Sequence, residues 1–173
     1  VDSGPVLAVQ PCPIDPSDTA VTLEARLAAL AAESIAGTVR LWARGELAAV
    51  PQSADGVTVT KRLRRDDGRI DAGTPCADAH RRWRAYQPWP GTWFEAPLGA
   101  GRVAIVECGA PRPGGGAAPG SLRLDADGEL ILQLPDGRLP LVQVRPAGGT
   151  TMSGRAFAHG RRALLADHAR IGA

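Results

Sequence analysis

Residues 121–144 read SLRLDADGELILQLPDGRLPLVQV, a stretch in which apolar runs alternate with turn residues. Apolar side chains recur over residues 121–124, 130–134 and 139–144, and an Asp-Gly pair lies in each of the two breaks between these runs. Short apolar or alternating runs separated by such turn residues are typical of antiparallel strands joined by hairpins. The stretch therefore predicts three consecutive strands.

Two further runs of this kind lie upstream, at residues 92–96 and 102–107, and bring the number of predicted strands to five. Five short strands at this spacing are typical of a small antiparallel barrel or sandwich. Residues 110–120 are rich in proline and glycine, which predicts a mobile loop before the third strand. Residues 153–162 predict a short helix with a basic end.

The chain before these runs has a different pattern. An apolar run at residues 6–9 predicts a strand, and Asp18 or Thr19 suits the N-cap of a helix that begins near residue 20. Apolar side chains then recur at helical spacing, Trp42 is expected to extend their buried stripe, and Gly45 suits the position just after the helix. One strand and one helix enclose no core. We therefore expect residues 1–45 to be the edge of a larger α/β domain.

A second helix is predicted at residues 75–86, since Pro75 suits the first turn and Pro88 lies just past the end. Residues 46–60 show no period and contain turn residues, which predicts a linker. The second helix carries its apolar side chains on one face and its arginines on the other face or at the border: Cys76, Ala79, Trp83 and Tyr86 against Arg81, Arg82 and Arg84.

Charge is unevenly distributed along the chain. Residues 1–60 carry three basic and seven acidic side chains, a net charge of −4, whereas residues 61–173 carry seventeen basic and eleven acidic ones, a net charge of +6. Such asymmetry indicates a polyanion-binding half. The alternative is that the cations lie in a solvated surface and pair with nearby carboxylates. The basic side chains that suit phosphate contacts are Lys61, Arg62, Arg64, Arg65, Arg81, Arg82 and Arg84.

Composition excludes several classes of protein and of site. No run of 18 apolar residues occurs, so no segment is predicted to span a membrane, and the N-terminal residues lack the pattern of a signal peptide. The cysteines, Cys12, Cys76 and Cys108, form no C-x-x-C pair, and the three histidines show no metal-ligand spacing. We therefore expect no metal site and reduced, at least partly buried thiols in the cytoplasm.

Several ordered motifs resemble one enzyme family. Residues 67–71 read DGRID and residues 80–91 read HRRWRAYQPWPG; together they resemble the domain junction of methionyl-tRNA formyltransferases, where R-I-D-W leads to a helix ending R-A-F-N-P-W-P-G. Residues 152–162, MSGRAFAHGRR, resemble the family's closing M-S-x-x-x-F-x-x-G-R-R. DSGP at residues 2–5 and DTA at residues 18–20 resemble the D-T-G-P and D-T-A-x-x-L motifs at the end of the formyltransferase domain.

This resemblance implies an α+β organisation. A strand and a long helix within residues 1–45 are expected to be the end of an α/β formyltransferase catalytic domain, residues 46–66 a basic linker, and residues 67–173 an OB-like antiparallel β-barrel that binds tRNA. Asp2 is expected to be the family's catalytic aspartate; without the resemblance it would read as a solvated terminal residue. The family's other catalytic residues, an Asn and a His of an H-x-S-L-L-P region, have no counterpart here.

The resemblance further implies that the complete enzyme is a cytoplasmic monomer. It would transfer a formyl group from 10-formyltetrahydrofolate to the amino group of methionyl initiator tRNA, and we expect the chain alone to be inactive. The alternatives are a sugar-nucleotide formyltransferase, the hydrolase domain of a formyltetrahydrofolate dehydrogenase and a non-catalytic RNA-binding module. The PWPG junction at residues 88–91 and the basic linker favour the tRNA enzyme.

Three positions need separate interpretation. Ala72 stands where the family has Trp, and Gly149 stands where it has Lys, which puts a role for a lysine at position 149 in doubt. Trp89 lies between two prolines, and we expect it to pack at the barrel entrance and not to stack on a base.

Overall fold

The computed structural model describes residues 2–166 and 169–172, and the chain divides into two compact units, residues 1–62 and 63–173. The break between them falls inside the segment expected to be a basic linker.

The first unit contains one long helix, α1, at Ala20–Ala43. It begins where the sequence predicts, since the Thr19 hydroxyl accepts from the Thr22 N–H at 3.3 Å and the Thr22 hydroxyl accepts from the Thr19 N–H at 2.9 Å. After the helix, Gly45 has a φ of +73° and donates its N–H to the Trp42 carbonyl, while Glu46 donates to the Leu41 carbonyl. These two bonds form a Schellman motif, which favours glycine because glycine adopts a positive φ without a steric penalty.

Two predictions for the first unit are wrong. Residues 6–9 form no strand; only Val6 pairs, exchanging backbone hydrogen bonds with Val50 at 2.8 and 2.9 Å. The ladder stops there because the described part of this unit has no strand to extend it. Trp42 is 55% exposed, and α1 buries none of its residues, since α1 is the single regular element described in this unit.

The second unit is built on an antiparallel sheet. Its strand path is β1-β2-β6-β5-β4, with the short strands β3 and β7 both paired to β6. The strands are β1 (Thr92–Glu95), β2 (Arg102–Cys108), β3 (Arg112–Pro113), β4 (Leu122–Leu124), β5 (Leu130–Leu134), β6 (Gly137–Pro146) and β7 (Met152–Ser153). All five predicted strands are present. The predicted loop at residues 110–120 is partly wrong, because it contains β3, which pairs Arg112 with Arg138 across the sheet.

Two helices pack against this sheet, α2 (Cys76–Ala85) and α3 (Gly154–Gly160), both within predicted helical segments. The N–H of Cys76 at the start of α2 donates to the Asp136 carboxylate at 2.6 Å, and the Trp83 indole N–H donates to the Val106 carbonyl at 3.2 Å. Short 3-10 helices lie at Arg65–Gly68, Pro97–Gly99 and Arg162–Leu165.

The core lies between the sheet and these helices. Cys76 and Ala79 of α2 are buried as predicted, with Trp83 partly buried beside them. All five residues of β5 are buried, so this strand is covered on both faces. The largest buried side chains of the core are Ile70, Phe94, Leu122, Leu130, Leu132, Leu134, Leu139, Leu141, Val103, Val144 and Phe157.

The two ends of the strand path are connected through the C-terminal residues. Ile171 donates its N–H to the carbonyl of Gly120, just before β4, at 2.9 Å. Gly172 donates its N–H to the carbonyl of Glu95, at the end of β1, at 3.1 Å. Because these neighbouring residues bond to opposite ends of the path, they bridge the interval between β4 and β1.

The motifs at residues 67–71 and 88–91 meet in space. A Cβ on Gly68 would lie 1.9 Å from the carbonyl oxygen of Gly91, so only glycine allows this approach. Beyond the contact, the Ile70 N–H donates to the Trp93 carbonyl at 2.8 Å. The prediction that Trp89 packs is wrong, since its side chain is 54% exposed. The turn at residues 87–90 is closed by the bond from the Gly91 N–H to the Tyr86 carbonyl, and it projects Trp89 outward.

Candidate nucleic-acid interface

An open groove of about 800 Å³ lies on the outer face of β1, β2 and β6. Its floor follows the sheet register, in which Trp93 pairs with Ala104 and Ala104 pairs with Arg145. Paired residues of neighbouring strands point to the same face of a sheet, so these three side chains form a row. Because Ala104 is small and stands between two large side chains, the floor is recessed at its centre.

Three arginines line the groove: Arg65, Arg102 and Arg145. The Arg102 guanidinium carbon lies 3.7 Å from the centroid of the Trp93 ring, within the range of a cation–π interaction. Glu95 is the one acidic residue in the described lining, and its carboxylate lies 3.9 Å from Arg102 Nε. The lining therefore has an excess of positive charge and suits an anionic ligand that is longer than a single phosphate.

One rim of the groove is the turn that follows β6. The Ala147 N–H donates to the Arg102 carbonyl at 2.8 Å, and the Gly149 N–H donates to the Pro146 carbonyl at 3.0 Å. Gly149, at the position of the family's lysine, lies on this rim. A Cβ on Gly149 would make only ordinary contacts, the nearest at 3.4 Å, so the turn does not require glycine there.

The first predicted basic cluster straddles the break between the two units. Lys61 and Arg62 are exposed in the first unit, and Arg64 and Arg65 are exposed at the start of the second. Of the four, Arg65 lines the groove. Neither Arg64 nor Arg65 forms an ion pair within the described residues. The Asp67 carboxylate instead accepts the backbone N–H of Arg64 at 2.6 Å.

The second predicted cluster lies on α2, and none of its arginines lines the groove. Arg81 is exposed and forms an ion pair with Asp78, as the alternative interpretation of this cluster expects. Arg82 is partly buried and donates to the carbonyl of Arg69 at 3.2 Å. Arg84 is partly buried beside His80, and burial together with this cation lowers the pKa of His80.

Sequence reasoning missed Trp93, Arg102 and Arg145. Arg102 and Arg145 are single cations between uncharged neighbours, and Trp93 lies inside a strand, so none of the three belongs to a run of basic residues. Strand alternation was the available signal, because residues whose neighbours are buried in a half-buried strand point outward. Arg145 fits this rule, lying between buried Val144 and buried Pro146 in β6.

Asp2, the expected catalytic residue, is exposed in the first unit with a φ of +61°. Its backbone carbonyl accepts a hydrogen bond from the Gln52 amide at 2.9 Å, and the same amide donates to the carbonyl of Gly4 at 2.7 Å. The sequence contains no asparagine, and its histidines all lie in the second unit. The first unit therefore offers Asp2 neither of the partner types of the family's catalytic site.

The two cysteines of the second unit lie in its core. Burial raises the pKa of the Cys76 thiol to about 11 and that of the Cys108 thiol to about 12.

Across residues 2–166 and 169–172, no three His, Cys, Asp or Glu side chains gather in a way that could hold a metal ion. Within the same residues, no helix has both the length and the apolar character needed to cross a bilayer.

Several proteins of similar sequence are named methionyl-tRNA formyltransferase. Methionyl-tRNA formyltransferase of Myxococcus xanthus is 33% identical over 162 residues, covering 94% of this chain and 51% of the relative. The enzyme of the same name from Chloroflexus aurantiacus is 34% identical over 176 residues, covering 99% of this chain and 54% of the relative. That from Roseiflexus sp. strain RS-1 is 37% identical over 153 residues. The chain thus spans about half the length of the curated relatives that it matches.

A variant of HypX from Aquifex aeolicus has a similar fold, with a TM-score of 0.65 at 17% identity over 95% of this chain and 29% of that one. The family model of the formyl transferase C-terminal domain matches residues 62–162, more than half of the chain and nearly all of the described second unit. This chain therefore belongs to the formyl transferase family and carries the family's C-terminal domain at residues 62–162.

Proposed function

We propose that this chain is the C-terminal part of a methionyl-tRNA formyltransferase and that its main task is to bind the tRNA. The complete enzyme would act in the cytoplasm as a monomer. It would transfer the formyl group of 10-formyltetrahydrofolate to the amino group of methionine esterified to initiator tRNA. The relatives carry this enzyme's name, and a HypX of similar fold has been crystallised with tetrahydrofolic acid.

The observation that carries the proposal is the arginine-lined groove. Arg65, Arg102 and Arg145 come from three different parts of the chain and line one recess on the sheet. Duplex RNA is recognised largely through its shape and its phosphates, for which a groove of this charge is suited. We further propose that the sheet closes as an OB-like barrel, and the bridge formed by Ile171 and Gly172 supports this.

Asp2 has a different proposed role. In the complete enzyme it would help to organise formyl transfer, which requires a neutral attacking amine and hydrogen bonds to the tetrahedral intermediate. The motif H-x-S-L-L-P does not occur in this sequence. We expect purified chain, 10-formyltetrahydrofolate and methionyl initiator tRNA to give no formyl-methionyl-tRNA above background. Turnover by this chain would contradict the assignment of the missing residues to catalysis.

Filter binding of initiator tRNA at three salt concentrations tests the proposal. Each phosphate contact contributes about −0.9 to the log–log salt slope at duplex-like sites. The triple variant Arg65→Ala, Arg102→Ala, Arg145→Ala should flatten the slope by about two to three units. The control removes the same charge from exposed sites outside the groove: Arg40→Ala, Arg44→Ala, Arg155→Ala. Equal losses in the two variants would show that net charge alone matters and would overturn the groove.

Two further variants assign the contacts. A triple variant, Arg62→Ala with Arg64→Ala and Arg65→Ala, tests the basic cluster. A double variant, Arg102→Ala with Arg145→Ala, tests the groove while leaving the basic cluster unchanged. If both contribute, each variant should flatten the slope, with circular dichroism unchanged because the side chains lie on the surface. Gly149→Lys should steepen the slope by about one unit, because it adds a cation at the rim, whereas Gly149→Ala should leave it unchanged.

A further inference from the structure

Trp93 occupies an unusual place for a buried indole. It lies on the outer face of the sheet, paired with Ala104, and yet it is only 5% exposed. Cationic side chains cover it. The guanidinium carbon of Arg102 lies 3.7 Å from the ring centroid, and that of Arg69 lies 6.0 Å away.

The indole also holds the chain that carries Arg65. Its N–H donates to the backbone carbonyl of Arg65 at 3.0 Å. The backbone of Trp93 is also linked to this segment by a parallel bridge with Arg69, in which the Ile70 N–H donates to the Trp93 carbonyl at 2.8 Å. Residues 65–70 are therefore hydrogen-bonded to β1 through Trp93.

These contacts matter because arginine side chains are flexible. An arginine that must be ordered on binding gives up rotamer freedom, which weakens the complex, whereas an arginine already held in place loses less. Stacking on an aromatic face holds the guanidinium while leaving its N–H donors in the ring-parallel plane free to meet phosphate oxygens. The Arg102 guanidinium carbon lies over the Trp93 ring, with the Glu95 carboxylate 3.9 Å from Arg102 Nε, and Arg65 lines the same groove.

We propose that Trp93 is a positioning residue for RNA binding: its ring orients Arg102 and its N–H places Arg65, so that the two cations face one stretch of phosphates. This rests on the proposed function. Trp93 itself, covered by arginines, contacts no RNA.

The test is a double-mutant cycle between Trp93 and Arg102, read as affinity for initiator tRNA at low salt. Trp93→Leu should weaken binding about fivefold in the wild-type background, from the size of one cation–π interaction. In the Arg102→Ala background it should have a smaller effect, because only the placement of Arg65 remains to be lost. Trp93→Phe keeps a ring but lacks the N–H, and should fall between wild type and Trp93→Leu.

Trp83→Phe is the matched control. The Trp83 indole also donates to a backbone carbonyl, that of Val106, but Trp83 lies on α2 and outside the groove lining. It should leave affinity and salt slope unchanged. Circular dichroism shows whether each variant is folded. If Trp93→Leu does not fold, Trp93→Phe takes its place in the test.

The outcomes separate the two levels of the proposal. If the wild-type chain binds no tRNA at low salt, the proposed function fails. If the wild-type chain binds tRNA and both Trp93→Phe and Trp93→Leu bind it as tightly as the wild type, the positioning role of Trp93 is overturned and the proposed function is not. Effects of Trp93→Leu and Arg102→Ala that simply multiply would also overturn it, because coupling is what a positioning role requires.

Discussion

The helices α1 and α2 each carry an apolar stripe, but the stripe is buried in α2 and exposed in α1. In α2 the stripe residues Cys76 and Ala79 are buried. The indole N–H of Trp83 donates to the Val106 carbonyl and the backbone N–H of Cys76 donates to the Asp136 carboxylate. In α1 the stripe residues Ile35, Val39 and Trp42 are exposed, although the helix is longer and better capped at both ends. Periodicity thus shows which face of a helix is apolar, whereas burial depends on a partner.

The largest expected difference between the two units is in the effect of removing a stripe or core side chain. Ile70→Ala should destabilise the sheet unit by about 2–5 kcal/mol, because Ile70 is 1% exposed and its removal leaves a cavity. Ile35→Ala on α1 should change stability by less than about 0.5 kcal/mol, since Ile35 is 61% exposed. Urea unfolding followed by circular dichroism and tryptophan fluorescence measures both. A large loss for Ile35→Ala would show that its face is covered.

The glycines give a second contrast. Gly68→Ala should cost about 1–3 kcal/mol or more, since its Cβ would overlap the backbone oxygen of Gly91. Gly37→Ala in α1 should instead stabilise the helix by about 0.5–1 kcal/mol, because nothing lies within 4 Å of the added Cβ and alanine favours helix. The two substitutions should shift the melting temperature in opposite directions, downward for Gly68→Ala and upward for Gly37→Ala. A neutral Gly68→Ala would mean that the junction between residues 68 and 91 is pliable.

The cysteines extend the comparison to reactivity. Cys12, in the first unit, is partly exposed, while burial of Cys76 and Cys108 in the second raises their thiol pKa values to about 11 and about 12. Since the thiolate is the reactive form, Cys12 should react first with iodoacetamide at neutral pH, and the other two only after unfolding. Mass spectrometry of the labelled peptides reads the order. Rapid labelling of Cys76 in the native chain would contradict the packing of α2.

The smallest expected effect is a pH dependence on α2. Burial, and then the nearby Arg84, lowers the pKa of His80 below 6.5, so the unfolded chain binds a proton more readily than the folded one. His80 therefore contributes stability that is present above pH 6.5 and is lost as pH falls below it. Urea midpoints at three pH values should show a shallower acid loss for His80→Gln. His159→Gln, at an exposed site on α3, is the control.

Local signals account for what was predictable. The N-cap at Thr19, the glycine after α1, the Asp-Gly turns and the alternating runs each act within a few residues, and the helices and five main strands follow from them. The short strands β3 and β7 carry no such signal, since two residues each pair to β6 only because the sheet is already there. The predictions that Trp89 and Trp42 are buried are wrong because the burial of a tryptophan depends on which residues pack against it.

From the amino-acid sequence one can infer the kinds of elements, the apolar face of each helix, the family motifs and the basic character of residues 61–173. The folded chain was needed to show that the apolar face of α2 is buried while that of α1 is exposed, and that position 68 requires glycine. It also brought Arg65, Arg102 and Arg145 into one groove over Trp93. The physical reason is that caps and turns act between near neighbours, whereas cross-strand register joins side chains that lie far apart in the chain.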